Sequence, residues 1–206
     1  MAITNGYCTL AEARAHLGIT DAADTTDDTV IESRVEVASR AIEQLTGRRF
    51  YRNGTDETRT YTSRETDVFE CPDDIGSITT LKTDEDGDRV YETLWTTDDY
   101  DTEPYNASLD GLPFARLRVT PAGTYAFPTV RRGVQIVGKF GYAATTPQPV
   151  KAACLILLTR IFRRKDTPYG TAGPSSIGLV TLIGESDPDV QALLMPFLRG
   201  IAGSGI

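Results

Sequence analysis

Two stretches decide the fold: VIESRVEVASRAIEQLTG, residues 30–47, and VKAACLILLTRIF, residues 150–162. In the first, Ile31, Val35, Ala38, Ala41, Ile42 and Leu45 recur at helical spacing, while Arg34, Glu36, Arg40 and Glu43 fill the opposite face. Gly47 supplies the left-handed residue that stops the helix. In the second, Val150, Ala153, Cys154, Leu157, Leu158, Ile161 and Phe162 form a wide apolar face, entered through Pro147 and Pro149. These helices lie near opposite ends of the chain, and turn-punctuated, β-rich sequence fills the interval. The layout predicts an α+β fold: a helical bundle formed by both chain ends, with an inserted antiparallel β subdomain. The expected boundaries are 1–50 and 147–206 for the bundle with its C-terminal arm, and 51–146 for the insertion.

Working outward, Thr9-Leu10-Ala11-Glu12 matches a capping box, and Leu10, Ala13 and Leu17 then share one face up to Gly18. The acidic stretch from Asp21 to Asp28 reads as a solvated linker whose carboxylates favour the start of the next helix. At the other end, Arg160, Arg163, Arg164 and Lys165 crowd a helix C-terminus, where cations offset the dipole. Residues 167–178 read as a Gly/Pro-rich loop with neither of the phosphate-cradling glycine motifs. The run Leu179 to Ile183 is short enough for an added strand. Asp187 and Pro188 then open a last helix carrying Val190, Leu193, Leu194, Phe197 and Leu198, which Pro196 must kink or end.

In the insertion, residues 58–62, 78–83, 89–96, 115–120 and 133–140 read as strands. Asp84-Glu85-Asp86-Gly87-Asp88 joins two of them, and Asp-Gly between β-rich runs predicts a hairpin. The rival reading is a calcium loop. However, glycine falls at the fourth position where an EF-hand needs it at the sixth, and no helices flank it. Trp95, Tyr91, Tyr100, Phe114 and Tyr125 are expected in the core or in subunit contacts. The basic residues available for a nucleic-acid platform are Arg116, Arg118, Arg131, Arg132 and Lys139.

Composition narrows the function classes. The chain has 206 residues, a formal net charge of −8 and a single histidine, His16. The acid excess argues against gripping a phosphate backbone broadly. No apolar run is long enough to span a bilayer, and the sequence start reads as lacking a secretory signal. Cys8, Cys71 and Cys154 form no CxxC pair, which predicts unpaired thiols in a reducing compartment; Cys154, on an apolar helix face, reads as a buried thiol. No nucleophile–base pair and no clustered metal ligands stand out, so no catalytic, cofactor or metal site is expected.

Four stretches together carry a family likeness: Tyr7 to Gly18 (YCTLAEARAHLG), Val37 to Phe50 (VASRAIEQLTGRRF), Val134 to Tyr142 leading to Val150–Cys154, and Arg160 to Gly170 (RIFRRKDTPYG). In this order they resemble the head-tail connector, or adaptor, proteins of long-tailed bacteriophages. The resemblance implies a virion structural protein, assembled in the host cytoplasm and located at the head-tail junction. It implies a ring, usually dodecameric, docked on the portal and followed by the next connector ring or the tail. Genomic double-stranded DNA would pass through its lumen without specific binding, and no membrane or cofactor is involved. On that reading Val30, Val37, Arg48, Arg49, Arg163 and Arg164 are the candidate ring interface, and Leu193, Leu194, Phe197 and Leu198 the candidate portal-docking face. The competing classes are a metal-dependent phage nuclease or hydrolase using acids such as Asp84, Asp86 and Glu92, and a ligand- or glycan-binding module built on the aromatics of the insertion.

Overall fold

The computed structural model describes residues 2–121, 123–163 and 187–199. Among these residues the chain is α+β, with four α-helices and a six-stranded antiparallel sheet. It divides into two compact units, one of Met1–Gly47 with Thr146–Ile206, the other of Arg48–Thr145. No helix among the described residues is long and apolar enough to cross a membrane.

The first unit contains α1 (Leu10–Leu17), α2 (Asp28–Thr46), α3 (Gln148–Arg163) and α4 (Pro188–Leu194). The capping box of α1 forms as expected: the Glu12 amide donates to the Thr9 hydroxyl, the Glu12 carboxylate accepts from the Thr9 amide, and Gly18 closes the helix at φ +81°. Helix α2 ends on Gly47, also left-handed. Ile31, Val35, Ala38 and Ile42 of α2 are fully buried, as are Val150, Ala153, Cys154 and Leu158 of α3, and the two helices pack together. Helix α4 lies on α3 through Val190 and Leu194. Its α-helical turns end at Leu194, and a 3₁₀ turn over Met195–Phe197 follows, because Pro196 cannot donate the next helical hydrogen bond.

The second unit is the sheet. Its strands are β1 (Glu57–Tyr61), β2 (Val68–Thr83), β3 (Thr93–Trp95), β4 (Tyr100–Glu103), β5 (Phe114–Val119) and β6 (Val134–Phe140), in the order β1-β6-β2-β5-β4 with β3 also on β2. Leu81, Leu117, Val134, Ile136 and Phe140 line the core with Phe69, Trp95 and Phe127. Strand β2 is long enough to pair β5 along its first half, β3 at its end and β6 along its second half. Pro72 sits where the β2–β5 register shifts, the position at which a strand tolerates a residue without an N–H. Gly138 of β6 faces another irregular stretch of β2, and a Cβ there would meet the Ser77 carbonyl at 2.1 Å.

Several sequence expectations need correction. The hairpin between β2 and β3 forms, with Leu81 opposite Trp95 and Thr83 opposite Thr93. Residues 89–92, however, are not strand, so the connection runs from 84 to 92. The reason is local: aspartate side chains in this loop capture backbone N–H groups that a strand would have used. Residues 68–77 and Tyr100–Glu103 are strand although neither was expected. The expected loop at 167–178 and strand at 179–183 lie outside the described residues.

Candidate assembly surfaces

Helix α2 carries two apolar stripes. The first faces the core. The second, one step around the helix, consists of Val30, Val37 and Leu45, which are 36%, 46% and 48% exposed. Val30 and Val37 are seven residues apart, two helical turns, so they stand nearly one above the other. They are the two expected ring-interface residues that lie on the surface of α2. Among the rest, Arg163 is exposed at the end of α3, and Arg164 lies outside the described residues.

Arg48 and Arg49 are placed differently. Arg48 pairs with the buried Asp74, and its guanidinium lies 5.6 Å from the Tyr142 ring centre. Arg49 donates to the Phe140 carbonyl at 2.7 Å and lies 3.3 Å from Glu57. Both arginines make these contacts within the second unit. The sequence could not indicate this, because their acceptors lie far along the chain.

The four expected docking residues also separate. Leu194 is 3% exposed and belongs to the core under α4; Leu193 and Phe197 are partly buried; Leu198 is 50% exposed. Met195, which the sequence reading passed over, is 71% exposed. Two contacts hold this end in place. Asp187 caps α4 through the Asp189 amide and pairs with Arg160 at 3.0 Å, and the Arg199 amide donates to the Thr46 carbonyl at 3.0 Å. The last contact sets Leu198 beside the C-terminal turn of α2, where Leu45 is exposed. Met195, Leu198 and Leu45 are thus apolar surface on one compact unit.

In the second unit, Asp84, Asp86 and Asp88 come together, with one carboxylate oxygen from each within 4.8 Å of the others. The geometry accounts for them as loop-formers. Asp84 accepts from the Gly87 and Arg89 amides at 2.6 and 3.0 Å, Asp86 from the Asp88 amide at 3.2 Å, and Asp88 from the Val90 amide at 2.7 Å. Burial works against the charge on Asp84, but these two amide donors, with the Asp86 hydrogen bond and the Arg89 charge, hold the carboxyl below its usual range. Glu92 is not part of this cluster.

Three arginines of the sheet are matched by acids. Arg116 faces Glu70 across the β5–β2 pair at 3.2 Å, Arg118 reaches Glu103 at 2.8 Å, and Arg59 reaches Glu57 at 2.5 Å and Asp73 at 2.7 Å. The Arg132 guanidinium donates instead to the Thr60 hydroxyl at 3.2 Å, and its backbone amide to the Thr62 hydroxyl at 2.9 Å. The aromatics are mostly interior: Trp95 stacks on Phe127 at 4.6 Å and donates its indole N–H to Thr83, Tyr100 is buried, and Tyr125 is half exposed. They form no open stacking platform. His16 is exposed in the last turn of α1.

The family model of the phage gp6-like head-tail connector proteins matches residues 7–79, a span that includes α1, α2, β1 and most of β2. Solved structures match over nearly the whole chain. The neck of an empty gene transfer agent particle, computed with C6 symmetry, gives a TM-score of 0.59 at 22% identity, covering 98% of this chain and 96% of that one. The neck of the native particle, computed with C12 symmetry, gives 0.58 at 21% identity with the same coverage. The virion of the native particle gives 0.59 at 20% identity, again over 98% and 96%. No curated protein sequence matches. At these identities the structures establish the shared fold, and the family match over residues 7–79 bears out the resemblance to head-tail connector proteins read from the sequence.

Proposed function

We propose that this protein forms a cyclic ring at the virion neck, docked on the portal on one side and on the next connector ring or the tail on the other, with genomic DNA passing through its lumen. The observation that carries the reading is the coincidence of a connector family match over residues 7–79 with a neck-protein fold over 98% of the chain. The C12 symmetry of one such neck favours twelve subunits. The helical bundle from both chain ends is the ring-forming body. A cyclic ring needs two different patches on each subunit. The Val30–Val37 stripe of α2 is one of them, and Arg163 and Arg164 are assigned to the ring interface as well. Leu193, Phe197 and Leu198, extended by Met195, make the portal-docking face, and Leu194 supports it from beneath.

The charge pattern suits passage without grip. The net charge is −8, and Arg59, Arg116 and Arg118 of the sheet are paired with carboxylates, which reduces the cationic surface offered to phosphates. The role is structural and not catalytic: the acids a nuclease would need, Asp84 and Asp86, are committed to shaping a loop. The test is to mix the purified chain with assembled portal and image the product. A ring seated on the portal supports the reading, and a chain that remains monomeric and unbound refutes it.

A further inference from the structure

The core of the first unit contains a thiol pair that the connector role does not use. Cys8 precedes α1 and Cys154 lies on α3; both are buried, and their Sγ atoms are 3.8 Å apart. Their environment is specific. The Ser39 hydroxyl donates to the Val35 carbonyl at 2.8 Å and accepts from the Tyr7 amide at 3.0 Å. With its one proton committed, Ser39 can only accept from Cys154, 3.7 Å away. Cys154 in turn accepts from Cys8. The result is a relay from Cys8 through Cys154 and Ser39 to Val35, which keeps both sulfurs side by side. Hydrogen bonding to Cys154, then burial, keeps the Cys8 thiol protonated well above the usual thiol range. The segment before α1 is held by Tyr7 to Glu43 at 2.6 Å and by Arg40 to the Asn5 carbonyl at 2.9 Å.

We propose that Cys8 and Cys154 are a cross-linking site, converted by a low-molecular-weight disulfide such as oxidised glutathione into an intramolecular disulfide that ties the N-terminal segment to α3. The step balances without any other reagent. When residues 2–9 open, the Cys8 thiol loses its proton, and its sulfur attacks one sulfur of the oxidant, forming a mixed disulfide and releasing one glutathione, which takes up the proton. When the segment closes, Cys154 attacks the Cys8 sulfur, forms the protein disulfide and expels the second glutathione with its proton. Two protein thiols are oxidised and one small disulfide is reduced to two thiols. Closing the bond needs the sulfurs to approach from 3.8 Å to about 2.05 Å. The bond would close a loop spanning most of the chain, where restricting the unfolded state stabilises most. Resting on the connector reading, its use is timing. Subunits assemble with free thiols in the reducing host, and the link forms once the particle is outside.

The test treats the purified full chain with oxidised glutathione, then measures intact mass and maps non-reduced peptides. The expected product has lost two hydrogens, joins the Cys8 peptide to the Cys154 peptide, and leaves Cys71, which lies in the separate core of the sheet unit, as a free thiol. Its thermal midpoint rises by about 10 °C and falls back on adding dithiothreitol. Cys71→Ser keeps both effects, and Cys154→Ser loses both. A persistent glutathione adduct, a bond through Cys71, an intermolecular dimer, or a cross-link that lowers the midpoint would each overturn the proposal. These measurements use the isolated chain, so their failure leaves the connector reading standing. A second arm compares particles released from hosts with particles from freshly lysed hosts alkylated at once. The linked fraction is expected to be high in the first and low in the second, and equal fractions would overturn the timing.

Discussion

Replacing Leu194 with alanine, set beside the same change at Leu198, separates the two roles combined in the C-terminal segment. Leu194 is 3% exposed and packs under α4 against α3; Leu198 is 50% exposed. Leu194→Ala removes three buried carbon groups, each contributing ~0.8 kcal/mol of transfer free energy, and leaves a cavity behind them. Helix α4 has seven residues and can shift to fill part of that cavity, so the cost belongs in the lower half of the usual range, about 3 kcal/mol. For a chain of this size that lowers the thermal midpoint by roughly 6–12 °C. Leu198→Ala removes carbon that water already reaches and should cost about 0.5 kcal/mol or less. The functional consequences run the other way. Leu198→Asp should leave the melting curve nearly unchanged yet weaken docking on assembled portal, measured by co-sedimentation. Leu194→Ala should dock once folded at low temperature. A Leu194→Ala protein that melts like the wild type would refute the placement of α4 in the core, and undiminished docking by Leu198→Asp would move the portal contact elsewhere.

Other outcomes follow from the same reasoning. Val30→Glu with Val37→Glu should leave a folded monomer, seen by circular dichroism and light scattering, that no longer forms rings. Arg48→Ala removes an ion-pair partner of the Asp74 carboxylate, whose side chain is 2% exposed, and should destabilise the protein by about 3 kcal/mol in urea titration, with Asp74→Asn in the same chain recovering part of the loss. Glu12 is held below its usual range, first by Lys151 and then by the Thr9 amide. Its contribution is therefore complete above the unfolded carboxyl pKa of about 4.3 and is lost as pH falls through the lower folded value. Glu12→Gln should flatten the stability profile below about pH 4.3, and an unchanged profile would contradict the assignment. Replacing Asp84, Asp86 and Asp88 with asparagine should change stability modestly, and a calcium affinity of the wild type in the millimolar range or tighter that disappears in this variant would overturn their reading as loop-formers.

The helices were legible because each carries its own evidence. The capping box at Thr9, the glycine stops at Gly18 and Gly47 and the 3.6-residue stripe of α2 are short-range signals, and local chemistry decided them. The first half of β2 was hidden because Pro72 interrupts it, and a proline is tolerated there only because the partner strand shifts register, which no local reading reveals. Residues 89–92 misled for the opposite reason: their composition suits a strand, but Asp84 and Asp88 had already claimed their amides. Among the candidate site residues, Val30 and Val37 were readable as a surplus on an otherwise explained helix. The assignments of Arg48, Arg49 and Leu194 depended on what each side chain meets, at Asp74, Phe140 and α3, and sequence spacing holds no record of contacts at that range.

The most direct test of the central claim is electron microscopy of the purified chain combined with its assembled portal, followed by symmetry analysis of end-on views. The account predicts a closed ring of this protein, twelvefold like the C12 neck it resembles, stacked coaxially on the portal with an open lumen. Portal particles that carry no added density, with the chain left monomeric in solution, would contradict it.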